Sequence, residues 1–129
     1  MKLTVLAGTY SIFRFAPYTP IPEGMERASF YTVSRTATEL SIVCDGHLIT
    51  AGFEKRQDGW KCLKVDGTLD FSLTGILASI ANPLATAKVS IFAISTFDTD
   101  YVLLQENQLP SAVQALTQVG FEVSEQVCG

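Results

Sequence analysis

The sequence carries little charge, and less of it is positive than negative. Of its 129 residues 17% are charged, with 9 lysines and arginines against 13 acidic residues and a formal net charge of −4. Basic residues form no run longer than the pair Lys55-Arg56, so no cationic patch is present to offset the phosphates of nucleic acid or an anionic membrane surface. We therefore expect neither nucleic acid nor a membrane as a partner.

Long hydrophobic runs are also missing. No segment approaches the roughly 18–20 apolar residues that cross a bilayer. The apolar start, Met1 to Gly8, is interrupted by Thr4 and is too short for a signal peptide. Three cysteines, Cys44, Cys62 and Cys128, form an odd count without close spacing. This usage is typical of a reducing compartment, so we expect a cytoplasmic protein.

Signatures of catalysis are absent. There is one histidine, His47, and it lies three residues after Cys44. A cysteine and a histidine can act together as nucleophile and base, but no third orienting group is evident, and we favour a packed thiol at Cys44. The sequence has no glycine-rich phosphate loop, nucleophile elbow, zinc ligand set or calcium-loop spacing. We therefore expect no enzyme, no cofactor and no metal.

The sequence is rich in apolar residues, at 47%, and their pattern predicts strands in the first half. Leu3 to Phe15 alternates and predicts a long strand, bulged at Gly8. Prolines between Ala16 and Ser29 exclude a continuous helix there and leave at most a short one. Phe30 to Arg35 and Leu40 to Cys44 predict two more strands. Asp58-Gly59 predicts a turn and is the best candidate for a domain boundary.

The second half has a different order of elements. Apolar residues at helical spacing predict a helix from Leu73 to Ala87, with a kink or break before Pro83. A second helix is predicted over Leu109 to Val119, ending at Gly120. The predicted strands are Trp60 to Val65, Val89 to Ile94, Tyr101 to Leu104 and Phe121 to Val127. The order is strand, helix, strand, strand, helix, strand, which is typical of a ferredoxin-like layer.

An internal repeat connects the two halves. A shift of 61 residues places Ser34 on Ser95 and Glu39 on Asp100, so a polar segment between two strands occurs twice. We therefore predict an α+β fold of two tandem ferredoxin-like units (βαββαβ), with antiparallel sheets, helices on one face and shortened helices in the first unit. The predicted domains are residues 1–58 and 59–129.

Several segments resemble ACT domains. The segments "ELSIVC", "LDFSLTGIL" and "ISTFDTDYVLL" are similar to small stand-alone tandem ACT proteins. The segment from "GILASIANPL" onward is similar to the aspartate kinase ACT domain and to the cytosolic arginine sensor of animals, which is built from ACT repeats. The resemblance implies a non-catalytic regulatory protein that binds an amino acid or similar small metabolite at an interface between ACT units. The arginine sensor has an acidic residue where this sequence has Leu73, so arginine itself is not implied.

The resemblance also implies a ligand site in the second unit. Its residues are Asp70, Phe71, Ser72, Leu73, Thr74 and Gly75 from the loop before the first helix, with Thr96, Phe97 and Asp100 from the polar segment. Exposed N–H groups at a helix start suit the ligand carboxylate, and Gly75 would let another backbone approach closely. Asp100 would accept the ligand ammonium group through charge-assisted hydrogen bonds.

Simpler roles stay open for these residues. Asp70 and Ser72 are each suited to cap the helix. Asp98 and Asp100 fit a solvated hairpin turn with an Asx-type bond, which we favour for Asp98. Phe71 and Phe97 are more typical of core or interface aromatics than of ligand platforms. Arg35, in the first unit, would serve an interface and reach a carboxylate across it.

A second function of another class also fits the sequence. The chain could be a ligand-free interaction module that docks on an enzyme or associates with itself. Apolar residues on both faces of the strands Val89 to Ile94 and Tyr101 to Leu104 predict a homodimer, because a second subunit would cover the face away from the helices.

Overall fold

The computed structural model describes residues 1–67 and 75–126. The strands are β1 (Lys2–Val5), β2 (Tyr10–Phe15), β3 (Thr32–Arg35), β4 (Leu40–Asp45), β5 (Lys55–Val65), β6 (Ile91–Ser95), β7 (Asp100–Gln105) and β8 (Glu122–Glu125), and the α-helices are α1 (Ile76–Thr86) and α2 (Leu109–Gln118). The fold is therefore mixed α+β, as predicted.

The chain divides into two compact units. The N-terminal unit is Gly8–Trp60, and the C-terminal unit combines Met1–Ala7 with Lys61–Gly129. Strand β5 contributes to both units. The domain bounds 1–58 and 59–129 stay a prediction. In the observed division the first strand, β1, belongs to the C-terminal unit.

The N-terminal unit is a four-stranded layer in the order β3-β4-β2-β5. All three strand pairs are antiparallel. Where a ferredoxin-like unit has helices, this unit has 3-10 turns at Met25–Arg27 and Gly46–Leu48. The shortened helices predicted for the first unit are confirmed, because the prolines before Gly24 leave no length for a helix.

Asp58-Gly59 does not form the predicted turn. Both residues lie inside β5, where Tyr10 pairs with Trp60 but Ile12 pairs with Gln57. One residue of β2, Ser11, therefore opposes two of β5, which makes a β-bulge, and Gly59 there has a positive φ of 82°. The predicted turn is wrong because a glycine with positive φ serves a bulge as well as a turn. The domain boundary predicted at these residues stays a prediction.

In the C-terminal unit, β8 pairs with β1, β1 with β5, β5 with β7, and β7 with β6. The order of β8, β5, β7 and β6 is that of a ferredoxin-like unit, but β1 lies between β8 and β5. It pairs parallel to β8 and antiparallel to β5. The predicted strand Leu3 to Phe15 is thus two strands, and the first belongs to this unit.

Both α-helices cover one face of that layer. Their buried residues Ile80, Leu84, Ala112 and Leu116 share a core with side chains of β1, β5 and β7. The helix α1 continues through Pro83 to Thr86, so of the kink or break predicted near Ser79 to Asn82 the break does not occur, and the kink stays a prediction. Within the part of the chain that the structure describes, no helix has the length and apolar character needed to cross a bilayer.

The repeat between the units has an offset of 60, not 61. Arg35 pairs with Leu40 across one hairpin, and Ser95 pairs with Asp100 across the other. The strands β4 and β7, and the 3-10 turns that follow them, keep the same offset. Asp100 therefore matches Leu40, and the predicted matches of Asp100 with Glu39 and of Ser95 with Ser34 are wrong by one residue.

Candidate ligand site in the C-terminal unit

The polar segment is the tight turn of the β6–β7 hairpin. The backbone N–H of Thr96 donates to the carbonyl of Thr99 over 2.9 Å. The Thr96 hydroxyl donates to the same carbonyl over 3.1 Å, and it accepts from the Thr99 N–H over 3.3 Å. Thr96 therefore closes the turn with its own side chain, which is the usual role of a hydroxyl in a turn.

Thr99 ties this hairpin to β5. Its hydroxyl donates to the carbonyl of Val65 over 2.7 Å, and the residue is only 4% exposed. Val65 is the last residue of β5, and the chain from there leads to α1. The hairpin turn thus lies beside the start of the connection that the family resemblance assigns to ligand binding.

Sequence reasoning did not single out Thr99. The signal that could have identified it is its place one residue before β7, a strand in which Val102, Leu103 and Leu104 are all buried. A hydroxyl at the end of such a strand is itself buried and needs a partner.

Asp100 has a partner within the hairpin. The Ser95 hydroxyl donates to one carboxylate oxygen of Asp100 over 2.5 Å. Asp100 is half-buried and Asp98 is exposed. A carboxylate held by one hydroxyl keeps lone pairs for a second donor, so this side chain is oriented and still able to accept a cation.

Gly75 marks the start of α1. Its φ of 78° is left-handed, and its carbonyl accepts the N–H of Ser79 over 2.8 Å. A Cβ built on Gly75 meets no described atom within 4 Å. Glycine is therefore favoured here by its backbone angle, and the close backbone approach predicted for it stays a prediction.

The remaining loop residues of the predicted site lie outside the described residues. These are Asp70, Phe71, Ser72, Leu73 and Thr74. Within the described chain α1 begins at Ile76, three residues after the predicted start at Leu73. The structure therefore brings Thr96 and Asp100 together in one hairpin and leaves their approach to the loop as a prediction.

Phe97 lies at the tip of the hairpin and is 80% exposed. Of the prediction that Phe97 is a core or interface aromatic, the core alternative is wrong within this chain because of this exposure, and the interface alternative stays a prediction. An aromatic ring displayed in this way is suited to contact a ligand or another protein.

Arg35 is the residue of the N-terminal unit that matches Ser95, and its hydrogen-bond partners are backbone carbonyls. Its guanidinium group donates to the carbonyls of Pro17 and Thr19. The contact with a carboxylate across an interface, predicted for Arg35, stays a prediction beside these contacts within its own unit.

The Cys44 thiol is part of a core. Cys44 is fully buried, and this burial, followed by the nearby Asp45 carboxylate, raises the pKa of the thiol to about 11. Burial likewise raises the pKa of Cys62 to about 12. The preference for a packed thiol at Cys44 is confirmed. Among residues 1–67 and 75–126 no group of histidine, cysteine and acidic side chains is arranged to hold a metal ion.

Two family models match the sequence. A model described as an ACT domain matches residues 55–118, and a second model, described as an N-terminal domain, matches residues 8–51. The N-terminal match ends at residue 51, and the ACT-domain match begins at residue 55, which is the first residue of β5. Each match therefore covers most of one unit of the structure.

Known proteins resemble the whole chain or part of it. A crystal structure of a protein from Agobacterium tumefaciens is 35% identical, with a TM-score of 0.90 over 98% of this chain and 93% of that one. The regulatory subunit of aspartate kinase from Thermus thermophilus, in its ligand-free form, is 12% identical, with a TM-score of 0.62 over 92% and 96% of the two chains. At that identity the second likeness concerns the fold alone.

A curated relative is the Bos taurus protein named cytosolic arginine sensor for mTORC1 subunit 1. It is 40% identical over 103 residues, which are 72% of this chain and 30% of the sensor. The match therefore spans less than a third of the length of that relative.

Proposed function

Because this chain belongs to the ACT-domain family, we propose that it is a non-catalytic regulatory protein that binds an amino acid or a similar small metabolite. The site is formed by the hairpin turn of the C-terminal unit and the connection into α1. The observation that carries the proposal is the hydrogen bond from Thr99 to Val65, which holds the turn at the end of the strand from which that connection departs.

The two poles of an amino acid suit the two parts of this site. The first turn of α1 offers unpaired backbone N–H groups and the positive end of the helix dipole to a carboxylate. Asp100, oriented by Ser95, accepts the ammonium group. The proposed ligand-binding residues are Asp70, Phe71, Ser72, Leu73, Thr74, Gly75, Thr96, Phe97 and Asp100.

Relatives support the class of ligand. The name of the bovine relative describes it as an arginine sensor, and it is 40% identical to the segment that it shares with this chain. An amino acid is therefore the first class of ligand to test, and arginine is one member of it.

A thermal-shift screen with each amino acid at millimolar concentration tests the proposal. An amino acid present at 100 times its Kd adds about 2.7 kcal/mol to the free energy of unfolding. The variant Asp100→Asn should weaken binding of that amino acid roughly tenfold or more, because it loses a charge-assisted bond. Asp98→Asn removes the same charge two residues away and serves as the matched control.

The proposal fails if no amino acid raises the melting temperature. It also fails if Asp98→Asn weakens binding as much as Asp100→Asn does, because the ammonium group would then respond only to the overall charge of the hairpin.

A second candidate function is docking on another protein. The helices α1 and α2 contain no Asp, Glu, Lys or Arg, and Phe97 is exposed at the hairpin tip. A helical surface without charge has a small desolvation cost when it is covered. Co-purification of a stoichiometric partner enzyme, together with no response to any amino acid, would favour this candidate.

We further propose that the protein forms a homodimer and lies in the cytoplasm. Support for self-association comes from the apolar side chains of β6 and the uncharged helices. Light scattering at micromolar concentration should give twice the mass of the 14.0 kDa chain. A monomeric mass with and without ligand would exclude the homodimer and leave ligand binding by one chain.

A further inference from the structure

In the N-terminal unit, the side chain of Arg35 contacts the backbone of the connection that follows β2. Arg35 ends β3 and directs its guanidinium group at the connection between β2 and the 3-10 turn that starts at Met25. One terminal nitrogen donates to the carbonyl of Pro17 and the other to the carbonyl of Thr19, the latter over 2.9 Å. The side chain thereby links a hairpin to the connection that precedes it in the fold.

The position of Arg35 matches that of Ser95. Arg35 pairs with Leu40 as Ser95 pairs with Asp100. Each hairpin turn is closed by a threonine. The backbone N–H of Thr36 donates to the carbonyl of Glu39 over 2.9 Å, and the backbone N–H of Thr96 donates to the carbonyl of Thr99 over the same distance.

The connections before the two hairpins match as well. The one in the N-terminal unit leads to Gly24 with a φ of 91°, and the one in the C-terminal unit leads to Gly75 with a φ of 78°. In each unit this left-handed glycine comes directly before the first helical residue. Arg35 therefore contacts the connection that corresponds to the candidate ligand loop.

We propose that the carbonyl oxygens of Pro17 and Thr19 form a guanidinium-binding site that the chain fills with its own Arg35. In the N-terminal unit, Arg35 thus links the β3–β4 hairpin to the connection after β2 without any ligand. In the C-terminal unit the matching residue is Ser95, whose hydroxyl donates to Asp100. A small molecule makes the link there, a statement that rests on the proposed function.

The chemistry of the connection suits this role. A guanidinium group presents several N–H donors in a fixed planar fork and accepts nothing, so the carbonyl oxygens of two residues separated by Tyr18 are matched acceptors. The prolines at positions 17, 20 and 22 fix φ and stiffen the segment. The Thr19 N–H donates to the carbonyl of Ala16 over 3.0 Å, which closes a turn around the two acceptors.

This assignment makes the N-terminal unit insensitive to ligand. A site that is filled by a side chain of the same unit is occupied at every ligand concentration. The response of the protein is then confined to the C-terminal unit, with one ligand bound per chain.

Hydrogen exchange of the Thr19 amide, measured by NMR, tests the site. In the variant Arg35→Ser, which places the matching residue of the C-terminal unit here, the Thr19 amide should exchange roughly tenfold faster than in the wild-type protein. The turn in which this N–H donates to Ala16 opens more readily once the carbonyl of Thr19 loses its charged donor. Ethylguanidinium chloride at millimolar concentration should slow the exchange again in this variant and leave the wild-type rate unchanged. Sodium chloride and urea at equal concentration should not.

Two further variants make the result decisive. Arg35→Lys keeps the charge without the planar fork, so it should also exchange faster than the wild-type protein. Arg27→Ser removes the same charge from the neighbouring 3-10 turn and should leave the Thr19 rate unchanged. The proposal is overturned if Arg35→Ser exchanges at the wild-type rate, or if ethylguanidinium restores no protection. Neither outcome depends on whether the C-terminal unit binds an amino acid.

Discussion

The β3–β4 and β6–β7 hairpins have the same strand pairing and the same backbone hydrogen bond across the turn, and they differ in the side-chain contacts that hold the turn. Both turns are closed by a threonine at the same place, Thr36 in one and Thr96 in the other. Three residues later, the first has Glu39, which forms an ion pair with Arg14 over 3.3 Å at the surface. The second has Thr99, whose hydroxyl is buried against Val65. The fold therefore fixes the turn, while single side chains decide whether the turn is held by surface charge or by a buried bond.

The layers that cover the two sheets differ in the same way. The C-terminal unit uses two α-helices, whereas in the N-terminal unit Phe13 and Phe15 share a core with Met25 of the first 3-10 turn. There Arg56 adds a cation–π contact, with its guanidinium carbon 4.7 Å from the ring centre of Phe13. It also donates to Asp58 over 2.6 Å. Aromatic rings and one arginine thus fill space that helices fill in the other unit.

The largest expected effect comes from the helical layer. Leu84→Ala removes a fully buried side chain from the core of the C-terminal unit and should lower the free energy of unfolding by about 2–5 kcal/mol. Gln114→Ala, at an exposed position of α2, should change it by less than about 0.5 kcal/mol. Urea unfolding followed by circular dichroism measures both. Equal effects would mean that the helices do not form a core with the sheet.

An intermediate effect is expected at the matched turn positions 99 and 39. Thr99→Val keeps the shape but leaves the buried Val65 carbonyl without its partner, at a cost of about 1–3 kcal/mol. Glu39→Gln breaks an exposed ion pair and should cost at most about 1 kcal/mol. Thr99→Ser, which keeps the hydroxyl, should recover most of the loss. The contrast between the units breaks down if Glu39→Gln is the more damaging change.

The smallest effect is a pH dependence that belongs to the N-terminal unit. Hydrogen bonds from Arg56, and then from Ser11, lower the pKa of the Asp58 carboxyl. Asp58 therefore stabilises the folded state above the ordinary aspartate pKa of about 4, and this contribution is lost as the pH falls through its lowered value. Stability measured from pH 7 to pH 2 should fall less steeply in Asp58→Asn than in the wild-type protein. A steeper fall would reverse the sign of the linkage.

Much of the fold could be predicted because its signals are local. Alternation located β3, β4, β6 and β7 to within a few residues, and helical spacing located α2. The bulge at Gly59 was mistaken for a turn because both need the same backbone angle. The insertion of β1 beside β8 could not be found in this way, because a parallel pair between the two ends of the chain depends on contacts more than a hundred residues apart.

The site was predicted in part, and the limits have a physical cause. The hairpin was identified from its hydroxyls and carboxylates, but the repeat was placed one residue out of register. Sequence similarity tolerates such a shift, whereas strand pairing does not, because one residue moves every side chain to the other face. For this reason Asp100 was matched with Glu39, and the correspondence between Ser95 and Arg35 became visible only in the strand pairs.

The most direct test of the account is an NMR titration of the wild-type protein with the amino acid that the thermal screen identifies. The account predicts that amide resonances shift at Gly75 and from Thr96 to Asp100, while their counterparts Gly24 and Thr36 to Leu40 stay in place, with saturation at one ligand per chain. Equal shifts at both hairpins, or shifts confined to residues 24–40, would contradict it.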